Sequence, residues 1–188
     1  MWKNNIFIIS GRVQSGKTTF AGALAETLGK EGFRIAGFLC RGTFINDRRD
    51  SYTLEELGSG IKIPMASSGF REGWFRYRRF YFNPAALEKG REMVLASLAG
   101  QPDLIVIDEV GPMEMEGRGW NSLLGELVSI GTIPQVWVVR DCLVDAVMEQ
   151  WRIPAGNLVP ADLRMEIKAR ERSLKHLREN IVNFKPGQ

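Results

Sequence analysis

The passage that most constrains this chain lies near its start. An apolar run, Ile6 to Ile9, leads into Gly11-Arg12-Val13-Gln14-Ser15-Gly16-Lys17-Thr18-Thr19, and a helical pattern follows with Phe20, Leu24 and Leu28 on one face. A short unbroken apolar run reads as a strand buried on both sides, as in a parallel sheet. The spacing of Gly11, Gly16, Lys17 and Thr18 between such a strand and a helix is that of a phosphate cradle. Glycines allow the tight turn that points several backbone N–H groups inward, and the helix directs its positive end at the same place. Residues 11 to 19 are therefore the candidate nucleotide-binding loop. Lys17 is placed to reach the β- and γ-phosphates, and the Thr18 hydroxyl to ligate Mg²⁺. A left-handed backbone at Gln14 would be unfavourable for that side chain.

A second run supplies the other half of such a site. Leu104 to Ile107 is wholly apolar and closes on Asp108-Glu109. It reads as a strand lying next to the first one, with Asp108 delivered to the sheet edge where open α/β sheets bind ligands. There Asp108 would serve the metal and Glu109 the attacking water.

Between and beyond these runs, strands and helices alternate. Arg34 to Arg41 reads as a strand after a helix stopped by Gly29 and Gly32. Tyr52 to Leu57 and Ile61 to Ala66, joined by Gly58-Ser59-Gly60, read as a β-hairpin. Phe75 to Phe82 is predicted as one aromatic and basic strand. Asn83-Pro84 marks the start of a helix whose apolar side is Leu87, Val94, Leu95 and Leu98. Further helices are predicted over 119–130, 143–151 and 161–184, with strands over 135–139 and 157–159. The pattern implies an α/β sandwich with a mainly parallel sheet, expected to be one domain over 1–188 with 161–188 a C-terminal helix packed on it.

Composition narrows the function classes. Lys and Arg number 25 against 22 acidic residues, a net charge of +3, too small an excess to argue for nucleic acid. The two cysteines, Cys40 and Cys142, are far apart. Both are read as buried, reduced thiols rather than a disulfide or zinc site. With a single histidine, His176, a His-based metal site or a Ser-His-Asp triad is poorly supported. No run approaches the roughly 20 apolar residues that span a membrane, and none resembles a signal peptide, so a cytoplasmic location is expected.

The stretch Asp108-Glu109-Val110-Gly111-Pro112-Met113-Glu114 resembles the signature of the THEP-type, or cancer-related, nucleoside-triphosphatase family. GKTT in the loop, the Gly37-Phe38 pair, the hairpin near 52–66 and the basic-aromatic stretch before Asn83 agree with it. The resemblance covers about residues 5 to 140. It implies a RecA-like three-layer P-loop sandwich with an inserted β-hairpin, and Mg²⁺-dependent hydrolysis of ATP, GTP and other nucleoside triphosphates. Carried over by position, it gives Lys17 and Thr18 to phosphate and metal, Asp108 to the metal and Glu109 to the water. Gln14 departs from the usual family loop, and Arg48-Arg49-Asp50 matches the family's arginine- and glycine-bearing stretch only loosely.

Two arginines compete for transition-state charge. Arg140 follows an apolar strand and would land near the γ-phosphate, and Arg118 follows the acidic signature. The plain alternative is pairing with Asp141 or Glu116. Arg71, Arg76, Arg78 and Arg79 alternate with aromatic residues, which fits a two-faced strand better than a base-stacking surface. Three functions stay open at this point: a stand-alone triphosphatase, a nucleotide or nucleoside kinase, and a nucleotide-gated protein that binds a protein partner.

Overall fold

A computed structural model describes residues 5–161 and 167–184, the side chains of 167–170 apart. In chain order the strands are β1 (Ile6–Gly11), β2 (Ile35–Ile45), β3 (Arg48–Glu56), β4 (Lys62–Ser67), β5 (Phe75–Tyr77), β6 (Phe80–Phe82), β7 (Leu104–Val110), β8 (Gln135–Arg140) and β9 (Leu158–Pro160). The helices are α1 (Lys17–Lys30), α2 (Pro84–Ser97), α3 (Pro112–Met115), α4 (Asn121–Ile130), α5 (Val144–Trp151) and α6 (Ile167–Val182). The strands form one sheet in the order β5-β6-β4-β3-β2-β7-β8-β1-β9. From β2 to β9 the pairing is parallel, and from β2 outward to β5 it is antiparallel.

Strand alternation divides the core into two layers, because successive side chains leave a strand on opposite faces. Phe7, Ile9, Val106 and Val138 pack under α1 and α6, against Phe20, Leu24, Leu28, Leu177 and Ile181. Ile8, Phe38, Ile107 and Trp137 pack on the other face, under α2, α4 and α5. The expected three-layer sandwich is therefore present, with the antiparallel extension as its inserted part. Among the described residues no helix is long and apolar enough to cross a membrane.

Several elements differ from the sequence reading. Strand β8 lies between β1 and β7, so the two site-bearing strands are not neighbours; apolar runs announce burial but carry no record of sheet order. The stretch 75–82 is a hairpin rather than one strand, with Arg78 at φ 54 in a two-residue turn between Tyr77 and Phe80. That turn lacks the Asn-Gly or Gly signal that usually marks one. The β2–β3 turn at Asn46 and Asp47, φ 48 and 58, is of the favoured primed kind. Gly29 lies inside α1, and the chain turns at Gly32, φ 91. Cys142 is exposed while Cys40 is buried. The helix predicted from 161 is described only from Ile167, and residues 162–166 lie outside the described part.

Two glycines show why the parallel core closes as it does. Gly37 in β2 has φ 105, and a Cβ there would come within 1.9 Å of the Val106 carbonyl oxygen in β7. Gly90 in α2 lets the helix approach both β3 and the start of α4, since a Cβ would come within 2.8 Å of the Leu54 side chain and 2.7 Å of the Trp120 ring. Gly37→Ala is expected to destabilise the protein by about 3 kcal/mol or more, from backbone strain and overpacking against a main-chain atom. Gly29→Ala, where a Cβ meets nothing within 4 Å, is expected to stabilise by about 0.5–1 kcal/mol. Urea denaturation reads both, and a Gly37→Ala loss below about 1 kcal/mol would show that β2 can shift away from β7.

Candidate active site

The site is assembled where β1, β7 and β8 end. Strand β1 runs into the loop at Gly11, and α1 starts at Lys17 with Gly16, φ 86, as its cap and no side chain bonded to its first amides. An uncapped helix start with no acid in its first turn is suited to an anion. Gln14 does adopt the left-handed backbone, at φ 64, which for a non-glycine residue costs on the order of 1–2 kcal/mol. Ser15 is buried and donates to the Ala161 carbonyl at 3.0 Å, so the segment after β9 braces the loop from beneath.

A β-bulge delivers the two acids. Ile107 pairs with Trp137 and Val110 with Val139, so β7 carries one residue more than β8 over this span. The extra length is taken up by Glu109, whose φ is 59. Bulges and left-handed non-glycine residues next to a ligand site re-aim side chains at a local cost. Asp108 is 1% exposed. Its carboxylate accepts hydrogen bonds from the Cys40 N–H at 2.9 Å, from the Glu109 N–H at 2.8 Å and from the Thr18 hydroxyl. Burial and the neighbouring Glu109 charge push its pKa up to about 7, against those three donors.

Lys17 and Arg140 supply the positive charge. The Lys17 ammonium donates to the carbonyls of Gly11 and Arg12, at 2.8 and 2.7 Å. Burial holds its pKa below the usual lysine value while Glu109 and Asp108 oppose the shift. Arg140 sits in register with Gly11 across the β1–β8 pair, and its guanidinium lies 3.8 Å from the Glu109 carboxylate. The partner of Arg140 is thus Glu109, not Asp141 or Glu116. Arg118 instead lies over the rings of Phe75 and Tyr77.

Gln14, Ser15, Gly16, Lys17, Thr18, Thr19, Asp108, Glu109 and Arg140 line one cleft of about 260 Å³, together with Val13. Gly11 and Arg12 do not line it. Gly11 packs against Ala161, where a Cβ would come within 2.2 Å of the carbonyl oxygen, and Arg12 is exposed. The outer half of β2 and strand β3 add residues that sequence reasoning missed: Arg41, Phe44, Arg49 and Tyr52 also line the cleft. Arg49 lies across Gly42, with its guanidinium 4.4 Å from the Phe44 ring centre and 4.9 Å from that of Tyr52. The small residue at 42 was the available signal, since any larger side chain there would collide with Arg49.

Glu114 fastens the loop behind these acids. Its carboxylate accepts from the Gly111 N–H at 2.7 Å and from the Trp120 N–H at 3.0 Å, and closes the segment that follows Glu109 into a short ring. It is 3% exposed, and burial pushes its pKa up to about 7 despite the two amide donors.

A family model described as NTPase matches residues 6–159. The nucleoside-triphosphatase THEP1 of Pyrococcus abyssi is 28% identical over 167 residues, covering 86% of this chain and 92% of the relative. That of Hyperthermus butylicus is 31% identical over 161 residues, covering 79% and 78%. Among solved structures, THEP1 from the hyperthermophile Aquifex aeolicus superposes with a TM-score of 0.68 at 22% identity, covering 92% and 96% of the two chains. A human cancer-related nucleoside triphosphatase superposes at 0.61 and 21%, covering 94% of each. At these identities the structures speak for the fold.

A pKa raised by folding means that the native protein holds its proton to higher pH than the unfolded chain, so stability falls as pH rises through that interval. For Glu114 the interval runs from the ordinary 4.5 to about 7, equivalent to about 3 kcal/mol. Glu114→Gln orphans one buried amide, costing about 1–3 kcal/mol, but removes the proton linkage. Its deficit relative to the parent is expected to be largest near pH 4.5 and to shrink by up to about 3 kcal/mol toward pH 7. Urea denaturation across that range measures it, and parallel pH profiles would show that Glu114 does not titrate in the folded protein.

Proposed function

The chain belongs to the NTPase family, whose model spans residues 6–159, and on that premise we propose that it hydrolyses nucleoside triphosphates to diphosphate and phosphate with Mg²⁺. The observation that carries this reading is the convergence of Lys17, Thr18, Asp108, Glu109 and Arg140 on one cleft. The relatives are named nucleoside-triphosphatases, which supports the same reaction here.

The residues fit a magnesium ion. Thr18 and Asp108 are hard oxygen donors already in contact. Among the described residues no group of three or more His, Cys, Asp or Glu could hold a metal by itself. A cation at this place would thus draw most of its ligands from phosphate oxygens and water, the coordination Mg²⁺ prefers. Thr18 and Asp108 would hold the Mg²⁺, whose positive charge would offset that of the phosphates. Its charge also favours the ionised form of Asp108, whose desolvation is the largest cause of the raised pKa.

The chain's own groups divide the remaining work. The open amides at the start of α1 and the backbone of residues 13–16 receive the phosphates. Lys17 exchanges the carbonyls of Gly11 and Arg12 for β- and γ-phosphate oxygens, which return more charge-assisted energy than neutral carbonyls do. Glu109 holds the attacking water and takes its proton as the water oxygen bonds to the γ-phosphorus and the bond from that phosphorus to the β–γ bridging oxygen breaks, releasing the diphosphate. Arg140, resting against Glu109, keeps that carboxylate turned toward the cleft and lies close enough to meet charge developing on the γ-phosphate.

Lys17→Ala is expected to abolish tight triphosphate binding, read by titration calorimetry. Glu109→Gln is expected to keep binding while lowering kcat by roughly a hundredfold or more, as for loss of a general base. Phosphate release from ATP and GTP, measured with Mg²⁺ and then with EDTA, tests the reaction and its metal together. Unchanged turnover in Glu109→Gln would remove that residue from the mechanism, and turnover indifferent to EDTA would remove the metal.

A further inference from the structure

A second and larger cavity, about 390 Å³, adjoins the phosphate cleft on the side of Glu109 and is lined by nothing that hydrolysis requires beyond the shared wall. Gln14, Arg49, Tyr52, Glu109 and Arg140 face both spaces. The floor is made of Tyr52, Met65, Phe80, Phe82, Met113 and Trp120. A space of this size lies within the range of small-molecule sites. It exists because the β5–β6 hairpin stands at the sheet edge and holds its aromatic side over the loop after Glu109.

The rings are arranged as a lining rather than as a filled core. Phe80 meets Tyr52 edge-on at 5.4 Å, Phe82 is backed at 5.9 Å by Phe75, which lies outside the lining, and Tyr77, Phe80 and Phe82 all remain partly exposed. Flat aromatic faces and thioethers favour a flat ligand by stacking and by S–π contact. The charge around the cavity is unbalanced. Arg49, Arg78, Arg79 and Arg140 line it against two acids, Glu109 and Glu114. Glu109 is taken up by Arg140, and Glu114 by two backbone amides. Arg79 lies 4.7 Å from the centre of the Phe80 ring, and Arg49 lies between Phe44 and Tyr52. Neither has a carboxylate within ion-pair distance among the described residues, and Arg78 has only Glu116 at 4.0 Å. Guanidinium groups fixed against rings and left without an acid are suited to a phosphate or carboxylate.

We propose that this cavity binds a second small molecule, a planar aromatic anion of nucleoside-monophosphate size, stacked on the β5–β6 aromatics with its anionic group on Arg49, Arg78 and Arg79. In this proposal the triphosphate fills the cleft with its γ end toward Glu109, and the second ligand lies across the wall shared by Gln14, Arg49, Tyr52, Glu109 and Arg140. The inference goes beyond hydrolysis and requires only that the cavity and the cleft be filled separately.

The test uses the full chain saturated with AMPPNP and Mg²⁺, titrated calorimetrically with AMP, GMP, CMP and UMP. At least one is expected to bind one-to-one with sub-millimolar Kd. The paired charge reversal Arg78→Glu with Arg79→Glu, at two exposed positions, is expected to weaken that binding tenfold or more. Leu87→Trp, which places an indole in the cavity from α2, is expected to do the same. Both variants should keep their AMPPNP affinity within twofold. Absence of binding by all four monophosphates would overturn the proposal, as would equal affinity in the charge-reversed protein. Equal competition by inorganic phosphate would reduce the site to an anion patch and overturn it too. AMPPNP affinity falling together with that of the monophosphate would show that the cavity houses the triphosphate's own nucleoside. Failure of AMPPNP to bind the parent protein would count against the hydrolytic reading alone, since the monophosphates can be titrated without it.

Discussion

The carboxylate of Asp108 is the point on which the rest of the site depends. It is buried and accepts from the amide of Cys40 in β2, from the amide of Glu109 in β7 and from the Thr18 hydroxyl in α1. A buried charge without such donors would be costly by several kcal/mol, so the three elements are held in one arrangement by the need to satisfy it. The β7 end cannot slide against β2, nor α1 turn about its axis, without orphaning that group. Burial and the Glu109 charge still raise the Asp108 pKa to about 7.

Strain is concentrated at the same place. Gln14 and Glu109 both take left-handed backbone conformations, at φ 64 and 59, and each faces both the phosphate cleft and the cavity beside it. The bulge in β7 turns Glu109 toward the cleft, and the Glu114 carboxylate secures the loop that follows by tying Gly111 to Trp120. Conformations that cost on the order of 1–3 kcal/mol each persist where the surroundings over-determine them. Here the surroundings are the parallel core on one side and the Glu114 ring on the other.

The antiparallel extension gives the molecule its second chemical environment. Three strands beyond β2, namely β3, β4 and β6, carry Arg49, Tyr52, Met65, Phe80 and Phe82 to the cavity beside the cleft. Their aromatic and guanidinium groups are packed against one another instead of against acids. On the proposed reading, such a flank lets a P-loop core meet two ligands of different shape, one recognised by backbone amides and one by ring faces and arginine.

Local chemistry determined what was legible in the residues alone. An apolar run closed by a glycine turn and followed by a helical pattern, and a second apolar run ending in Asp-Glu, each need burial followed by water, so β1, α1 and β7 could be read from order and type. Asn83 before Pro84 likewise announced α2, and its side chain does cap the helix at Ala85. Sheet order, the hairpin at 75–82 and the identity of the Arg140 partner were decided by tertiary structure. Each depends on groups far apart in the chain: β8 enters between β1 and β7, and Arg140 reaches Glu109 only because it does. The cavity was illegible for the same reason. No single segment contains it, and it exists only where an edge hairpin, a helix and the loop after β7 fail to close on one another.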